Sequence, residues 1–513
     1  MNGAAAVITT AVRAGVDTCF ANPGTTEIHL VGALRESPSI RPILCLFEGV
    51  CTGAADGYAR MAGRPALTLL HLGPGLANGV ANLHNAQKAH TPVINLVGNH
   101  ARRHLNNDSI LASDIAGIAR PVSVFVRQTT VVEDSARDFA AAHRAAVEHL
   151  GVATLILPAD VQWSELKGDQ ASPTLRGSHR TYDSRDVATA AAALRAARPA
   201  ALLLGGNALL ERGLVAAGRI QAAVRCRVFC TRAPARIEAG PGIPIVERLG
   251  YFPEASAAQV AGVGCFVLAG TNNPAAIFAY GDGPTHVIPH DRHVVELARA
   301  LDDATAALEA LADELAAPAP VLTARRRPEL PGGKLSSRNL ADTLAAVQPD
   351  QAILVDEANT SAANLFEAAG AARVTYLGLT GGAIGIGSPL AIGAAVASPD
   401  RPVIAVQGDG SAMYTLQALW TQARERLHVT TVICANRSYR ILDVERERAG
   451  IARLEGPAAT LIDLTDPTID WVKIAHGMGV EGSRAATPRE LSEQLSASVA
   501  AEGPHLIEAV LET

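Results

Sequence analysis

Two polar side chains follow consecutive apolar stretches in the last third of the chain. PVIAVQ runs into Gly-Asp-Gly-Ser, which contains Asp409, and the next apolar stretch, TTVICAN, ends at Asn436. Successive strands of a parallel sheet end at the same edge, and carboxylate, amide and carbonyl oxygens are ligands suited to octahedral Mg²⁺. Gly-Asp-Gly alone is also a common turn, but the second donor at Asn436 favours a metal. We therefore predict a Mg²⁺ site that also receives a phosphate, because a helix N-terminus follows the glycines.

A second chemically unusual residue is Glu48, the one carboxylate in the stretch RPILCLFEGVCTGAADGYARM before its aspartate. The apolar run Ile43 to Phe47 predicts a buried strand, and the small residues after Glu48 predict a tightly packed helix. An ionised carboxylate removed from water without a partner is costly. A glutamate that merely begins a helix, where the macrodipole favours negative charge, is the structural alternative. The fragment alone does not identify a partner for the Glu48 carboxylate.

These residues are carried by alternating strands and helices in three segments of the chain. LTLLHL, GPG, a helix and TPVINLVG form one βαβ unit, and similar units occur around PAALLLGG and PVIAVQGDG. Two polar, proline- and glycine-bearing linkers, Leu166 to Asp183 and Ala317 to Gly333, separate the segments. We predict an α/β protein of three doubly wound parallel-sheet domains, over residues 1–167, 184–317 and 334–513.

Composition excludes several classes of protein. The chain has 513 residues and a net charge of −6, which gives no basic footprint for nucleic acid. No apolar run approaches the ~18 residues needed to cross a bilayer. Seven cysteines without metal-ligand spacing favour a reducing compartment. We expect a cytoplasmic protein without a membrane span.

Several motifs together resemble the thiamine-diphosphate (ThDP) enzymes that include benzoylformate decarboxylase, pyruvate decarboxylase and acetolactate synthase. The similar stretches are FANPGTTE, LFEGVCTGAADGYAR, HLGPGLAN, GGAIGIGSP and GDGSAMYTLQALWTQARERLHVTTVICANRSY, which span almost the whole chain. The resemblance implies pyrimidine-binding, central Rossmann-like and diphosphate-binding domains, in that order. It also implies a homodimer or homotetramer with active sites between chains.

The resemblance assigns the cofactor residues. Asp409, the Asn436 side chain and the Ser438 carbonyl resemble the Mg²⁺ ligands, although Ala435 replaces the first asparagine of the family motif. The other residues expected to bind the cofactor are Asn359, Gly382, Ile384, Gly408, Gly410, Ser411 and Ile441. Among them, Asn359 and Ser411 would bind the diphosphate, the Gly382 carbonyl would accept from the aminopyrimidine, and Ile384 would bend the cofactor.

Catalytic residues are implied in the same way. Glu48 resembles the glutamate that hydrogen-bonds the pyrimidine ring nitrogen, so that the exocyclic nitrogen removes the thiazolium C2 proton and an ylide forms. We therefore expect Glu48 to be buried and without a protein partner when the cofactor is absent, facing a cleft between chains. Attack on a 2-oxo acid and loss of CO₂ would leave an enamine, which is protonated to an aldehyde or joined to a second carbonyl. His71 resembles a histidine that transfers protons and contacts the substrate, and Thr25 a residue that contacts its carboxylate. The helix predicted after His71 carries His84 and His90, which we interpret as structural.

The substrate itself stays open. The segment after GTNNPAAIFAYGDGP has no match to the second histidine of benzoylformate decarboxylase. Ile441 and Leu442 would face the thiazolium, and Glu445 replaces a large aromatic residue of the relatives. Glu445 would either bind a polar or cationic substrate or form a surface pair with Arg448.

Three functions are compatible with the sequence. The first is decarboxylation of a 2-oxo acid with carboligase capacity, like that of benzoylformate decarboxylase, and the second is acetolactate synthase-type carboligation. FAD is not expected, because no GxGxxG fingerprint follows a strand. A Mg²⁺-dependent nucleotide phosphotransferase or hydrolase is a third, but it lacks a GxxxxGK[ST] loop and leaves Glu48 unexplained.

Overall fold

The computed structural model describes residues 1–167 and 181–512 and contains three helix-covered sheets. Most of the linker predicted from Leu166 to Asp183 therefore lies outside the described residues. The three predominantly parallel sheets confirm the predicted fold class, whereas the domain boundaries remain a prediction. No described helix is long and apolar enough to cross a membrane.

The first sheet has six parallel strands in the order β2-β1-β3-β4-β6-β5. Its strands are β1 (Thr18–Asn22), β2 (Arg41–Leu44), β3 (Ala66–Leu70), β4 (Val93–Asn99), β5 (Phe125–Gln128) and β6 (Val152–Pro158). Its helices are α1 (Gly3–Arg13), α2 (Ile28–Arg35), α3 (Glu48–Ala62), α4 (Leu72–Lys88), α5 (Ile115–Ala119), α6 (Ser135–Glu148) and α7 (Ala159–Trp163). The predicted strand up to Phe47 ends earlier, at Leu44, because Phe47 is the N-cap of α3.

The central segment forms a smaller sheet in the order β10-β8-β7-β11-β12. The strands of the central segment are β7 (Ala200–Leu204), β8 (Arg227–Cys230), β9 (Ile237–Ala239), β10 (Glu247–Arg248), β11 (Cys265–Ala269) and β12 (His293–Ala298). The helices are α8 (Ser184–Ala196), α9 (Glu211–Val224), α10 (Pro253–Val260) and α11 (Ala304–Glu314). Strand β9 does not belong to the central sheet, because it pairs antiparallel with a strand of the third sheet.

The third sheet has seven strands in the order β17-β18-β16-β15-β13-β14-β9. The new strands are β13 (Ala352–Glu357), β14 (Val374–Gly378), β15 (Val403–Gly408), β16 (Val429–Ala435), β17 (Glu481–Ala485) and β18 (His505–Val510). The helices are α12 (Leu340–Val347), α13 (Leu365–Ala368), α14 (Gly387–Ala397), α15 (Asp409–Ala412), α16 (Ala418–Glu425), α17 (Arg440–Arg448), α18 (Trp471–Gly477) and α19 (Pro488–Ala500). Strands β13, β15 and β16 are neighbours, so their carboxyl ends lie side by side.

The first and third sheets are joined by the packing of α3 against α14. A side chain at Gly57 would lie 2.1 Å from the Leu390 carbonyl oxygen, and one at Gly393 would lie 1.9 Å from that of Ala54. Only glycine permits this approach of two backbones. The apolar residues around the two helices form one continuous core with strands of both sheets. The helix that begins at Glu48 is therefore fixed by both halves of the chain.

A buried ion pair fastens the same junction. Arg60 on α3 forms two hydrogen bonds with Asp56, at 2.8 and 2.6 Å, and both side chains are buried. The remaining guanidinium donors reach the Gly378 carbonyl at 2.7 Å and the Thr380 hydroxyl at 3.1 Å. Gly378 is the last residue of β14, and Thr380 lies in the loop that follows it. Arg60 therefore links the end of β14 to α3.

Candidate active site

The carboxyl edge of the third sheet brings together the residues predicted to bind metal. Gly408 ends β15, and Asp409 begins α15 with its side chain buried. Its Oδ1 accepts from the Gly410 N–H at 2.9 Å, and its Oδ2 accepts from the Arg437 N–H at 2.6 Å. Burial raises the pKa of the Asp409 carboxyl, although these N–H bonds oppose the increase. The Arg437 bond ties the loop after β16 to the start of α15.

Asn436 follows β16 and connects the neighbouring strand ends. Its Nδ2 donates to the Ser361 hydroxyl at 3.1 Å, and its Oδ1 accepts from the Ser438 N–H at 3.0 Å. Ser361 lies in the short helical turn that begins at Asn359, directly after β13. Asn359 has a left-handed backbone with φ of 49°. The structure therefore places the predicted diphosphate and metal residues on three adjacent strand ends.

The donor set at this edge fits a hard divalent cation. The Asp409 carboxylate and the Asn436 amide oxygen accept one N–H bond per oxygen and each retain a lone pair. The Ser411 hydroxyl, buried in the first turn of α15, donates to the Gly408 carbonyl at 3.0 Å. No cluster of three or more His, Cys, Asp or Glu with metal-binding geometry occurs in the described ranges. A bound cation would therefore rely on one carboxylate, amide and backbone oxygens, and phosphate, as Mg²⁺ commonly does.

The glycine-rich loop between β14 and α14 presents open backbone. Gly382 has φ of 76°, and a side chain there would have no atom within 4 Å, so the loop offers space to a ligand. Ile384 is partly buried. The loop is held from beneath by Glu357, the last residue of β13, which accepts from the Gly385 N–H and, at 2.7 Å, from the Gly387 N–H. Burial raises the pKa of Glu357 to about 7.

Helix α4 of the first sheet holds the other side of this loop. The Asn85 side chain donates to the Ala383 carbonyl at 2.8 Å and accepts from the Ala383 N–H at 3.2 Å. Nε2 of His84 lies 3.1 Å from the Gly381 carbonyl oxygen. Neither Glu357 nor Asn85 was predicted from the sequence, because their partners are backbone groups far away in the chain. His84, interpreted as structural, contacts the loop that carries Gly382.

Glu48 is the first residue of α3 and is only 6% exposed. Its Oε2 accepts from Asn78 Nδ2 on α4 at 3.0 Å, which corrects the expectation that the carboxylate has no protein partner. No arginine or lysine of the described chain pairs with it. A side chain at Gly75 would lie 3.0 Å from Oε1, so this glycine keeps that oxygen uncovered. The carboxylate is therefore buried, uncompensated by a cation, and open at one oxygen.

His71 occupies the N-cap position of α4 at the end of β3, and its side chain and that of Glu48 both approach Gly75. Its Nδ1 lies 2.8 Å from Oε2 of Glu27, a fully buried carboxylate whose Oε2 also accepts from the Gly24 N–H at 2.9 Å. Leu72 next to the histidine has a left-handed φ of 48°. Glu27 therefore orients the ring and leaves Nε2 for other contacts. Glu27 was not predicted as a site residue, although it belongs to the NPGTTE motif.

The remaining predicted substrate residues lie on two elements. Thr25 is exposed at the start of the turn after β1 and lines a cavity. Ile441 and Leu442 lie in the first turn of α17, where Leu442 is 50% exposed. These positions are compatible with contacts to a ligand, and their roles remain predictions.

Glu445 on α17 does not pair with Arg448, so the proposed surface pair is wrong. The Tyr280 hydroxyl of the central segment donates to Glu445 Oε2 at 2.7 Å, while Oε1 is buried without a partner. Arg448 instead bonds Glu254 at 2.5 and 3.1 Å. Its guanidinium also lies 4.5 Å from the Tyr280 ring centroid. Helix α17 is thus attached to the central segment through both side chains.

Comparison with known proteins identifies two matching family domains and several similar chains. Residues 1–117 match the model of the thiamine pyrophosphate enzyme N-terminal TPP binding domain, and residues 357–509 match that of the C-terminal TPP binding domain. A Mycobacterium tuberculosis protein that carries the name acetolactate synthase large subunit IlvX is 50% identical, over 100% of this chain and 99% of its own. Benzoylformate decarboxylase of Pseudomonas aeruginosa is 30% identical, over 98% and 97% of the two chains.

A solved structure shows the same fold. The Rhodococcus jostii RHA1 thiamine diphosphate-dependent 4-hydroxybenzoylformate decarboxylase superposes with a TM-score of 0.85 at 24% identity. The alignment covers 100% of this chain and 99% of that one.

Proposed function

Because the chain belongs to the thiamine-diphosphate-dependent enzyme family of acetolactate synthases and benzoylformate decarboxylases, we propose that it decarboxylates a 2-oxo acid without oxidation. The product is an aldehyde, or a hydroxyketone when a second carbonyl compound is the acceptor. ThDP and Mg²⁺ are the proposed cofactors. The observation that carries the proposal is the buried Glu48 carboxylate, which has no cationic partner and one uncovered oxygen.

The cofactor's diphosphate would be bound at the edge of the third sheet. Asp409, the Asn436 side chain and the Ser438 carbonyl would hold Mg²⁺ between protein and diphosphate. The N-terminus of α15 and the residues around it, Gly408, Gly410, Ser411 and Asn359, would contact the diphosphate oxygens. This arrangement resolves the conflict between an acidic side chain and an anionic ligand at one helix N-terminus.

Glu48 would move the proton that activates the cofactor. When bound, ThDP supplies a carbon nucleophile and an electron sink. A carboxylate shielded from water shares a proton with a ring nitrogen more effectively than one in bulk solvent. Asn78 fixes the Oε2 oxygen and leaves Oε1 for that contact. The Gly382 carbonyl and Ile384 would fix the orientation of the same ring from the glycine-rich loop, and Ile441 would contact the cofactor from α17.

His71 and Thr25 would act on the substrate. The contact with buried Glu27 fixes the His71 ring, so that Nε2 is available to donate to the substrate or accept a proton from it. The exposed Thr25 hydroxyl can donate to a carboxylate. Leu442 and Glu445 would line the substrate path from α17. We also propose that the protein is cytoplasmic. Its proposed assembly is a homodimer or homotetramer, and a native mass measurement tests this oligomeric state.

Reconstitution of the purified protein tests this function. The protein is incubated with ThDP and Mg²⁺, and a set of aliphatic and aromatic 2-oxo acids is screened for CO₂ release. We expect at least one acid to be consumed only when both cofactors are present. Consumption of none, together with no binding of ThDP, would contradict the proposal.

Acetolactate synthase-type carboligation is the second candidate, favoured by the 50% identical relative that carries that name. The same incubation with an added aldehyde or second 2-oxo acid separates the two activities. A decarboxylase releases aldehyde whether or not an acceptor is present. A carboligase instead forms a hydroxyketone or a 2-hydroxy-3-oxo acid at the expense of free aldehyde.

A further inference from the structure

A cavity of about 300 Å³ lies at the carboxyl edge of the first sheet, beside Thr25. The segments that follow β1, β4 and β6 form its walls. Its polar and aromatic lining consists chiefly of Thr25, His29, His100, Arg103, His104 and Trp163. A water molecule takes up about 30 Å³ of liquid, so the cavity has room for a carboxylate and several methylene groups.

The lining of this cavity contains no acidic residue. Arg103 forms no ion pair or hydrogen bond with any described side chain. The adjacent Arg102 is in contrast paired with Asp160, with its Nε at 2.8 Å from the carboxylate. A guanidinium without a counter-charge beside a cavity favours an anionic occupant, because it offers a planar fork that matches a carboxylate.

The imidazole rings add nitrogen atoms that can donate or accept a hydrogen bond. Nε2 of His100 is buried and has no partner in the described chain. The His104 ring centroid lies 6.2 Å from that of His100, and the His29 ring contacts Trp163 edge-on at 6.0 Å. A buried ring nitrogen left unbonded is energetically costly unless a ligand or water satisfies it. The cavity therefore offers the Arg103 guanidinium and an unbonded imidazole nitrogen, and its lining carries no negative charge.

The cavity and the proposed reaction site border the same short turn. Thr25 lines the cavity, and Glu27, two residues later, contacts His71 at 2.8 Å. We propose that the side of the cavity formed by His100, Arg103 and His104 binds a carboxylate at the end of the substrate remote from its reacting carbonyl, so that the preferred substrates are 2-oxo dicarboxylates. Thr25, at the side of the cavity nearer to Glu27, keeps its role at the carboxylate beside that carbonyl. This inference rests on the proposed 2-oxo acid decarboxylation.

Matched substrates provide the kinetic test. The holoenzyme is assayed with 2-oxoglutarate against 2-oxopentanoate, and with 2-oxoadipate against 2-oxohexanoate. Each pair has the same chain length and differs only in the remote carboxylate. We expect the dicarboxylate of at least one pair to have a kcat/KM about two- to fivefold higher, because Arg103 is exposed and water weakens its attraction for a carboxylate.

Arg103→Gln should abolish this preference by raising KM for the dicarboxylate while leaving the monocarboxylate unchanged. The matched control is Arg120→Gln, which alters an exposed arginine before β5, at the opposite edge of the sheet. A second variant, His104→Gln, should reduce the preference in the same direction. Equal kcat/KM for both members of each pair, or a preference that survives Arg103→Gln, would overturn the inference.

Direct binding separates this inference from the proposed reaction. Glutarate, which has no reactive carbonyl, is titrated into the holoenzyme while tryptophan fluorescence is recorded. We expect a saturable fluorescence change that is lost in Trp163→Phe, and a glutarate affinity that is about two- to fivefold lower in Arg103→Gln. Glutarate binding without turnover of any 2-oxo acid would refute the decarboxylation and retain the anion site. Turnover of monocarboxylates without glutarate binding would refute the anion site alone.

Discussion

Replacing Glu357 with glutamine should weaken ThDP binding although this side chain lies beneath the glycine-rich loop and not in the open space above it. At pH 8 its carboxylate is ionised and accepts the N–H groups of Gly385 and Gly387. Glutamine keeps the shape but turns one acceptor into a donor that faces a backbone N–H. One lost hydrogen bond to a charged group costs about 1.5–3 kcal/mol.

The loss of this hydrogen bond would destabilise the loop conformation that presents Gly382 and Ile384. If the cofactor requires that conformation, a loss of about 2 kcal/mol corresponds to a rise of about thirtyfold in the dissociation constant of ThDP. The measurement is a calorimetric titration of apoprotein with ThDP at fixed Mg²⁺, for wild type and Glu357→Gln. Glu481→Gln, which changes an exposed carboxylate on β17 of the same sheet, is the matched control. Equal affinities for wild type and Glu357→Gln would refute the role of this carboxylate.

The same substitution should change how stability depends on pH. Burial raises the pKa of Glu357 from an ordinary value of 4.5 to about 7, so the folded protein retains a proton that the unfolded chain loses first. The stability contribution is therefore complete below pH 4.5 and decreases by about 3 kcal/mol as the pH rises to 7. We expect the wild-type Tm to fall relative to that of Glu357→Gln between pH 5 and 7.5. Parallel Tm curves would contradict the shifted pKa.

Three further substitutions test other parts of the site. Asp56→Asn leaves the Arg60 charge buried beside carbonyl and hydroxyl groups alone, and should cost about 3–5 kcal/mol, seen as a lower Tm; an unchanged Tm would exclude this role. Tyr280→Phe removes the donor to Glu445 and should raise KM for the 2-oxo acid by loosening α17, with little change in ThDP affinity; an unaltered KM would show that the contact is dispensable. Asp409→Asn should raise the Mg²⁺ concentration for half-maximal ThDP binding, whereas an unchanged Mg²⁺ requirement would place the cation elsewhere.

The sequence was sufficient for the features that depend on local pattern. Apolar runs followed by glycine, aspartate or asparagine predicted parallel strands and their polar ends, so Asp409 and Asn436 were expected on one edge. The burial of Glu48 followed from its apolar surroundings. In each case the evidence lies within a few residues of the position concerned.

The sequence was insufficient where a partner comes from another segment. Glu357 bonds backbone groups some thirty positions later, and such groups leave no trace in side-chain patterns. The predicted pair of Glu445 with Arg448 considered one helix alone. In the fold, Arg448 forms a two-point ion pair with Glu254, and its guanidinium lies over the Tyr280 ring. Together these two contacts stabilise the arginine away from Glu445.

The central claim, that Glu48 activates a bound ThDP, is tested most directly by exchange of the cofactor's C2 proton for deuterium, followed by NMR after rapid acid quench. Wild-type protein with Mg²⁺ should exchange this proton far faster than free ThDP, and Glu48→Gln should slow it by about 10²–10⁴-fold while still binding the cofactor. Exchange at the rate of free ThDP in the wild type, or equal rates in the two proteins, would contradict the claim.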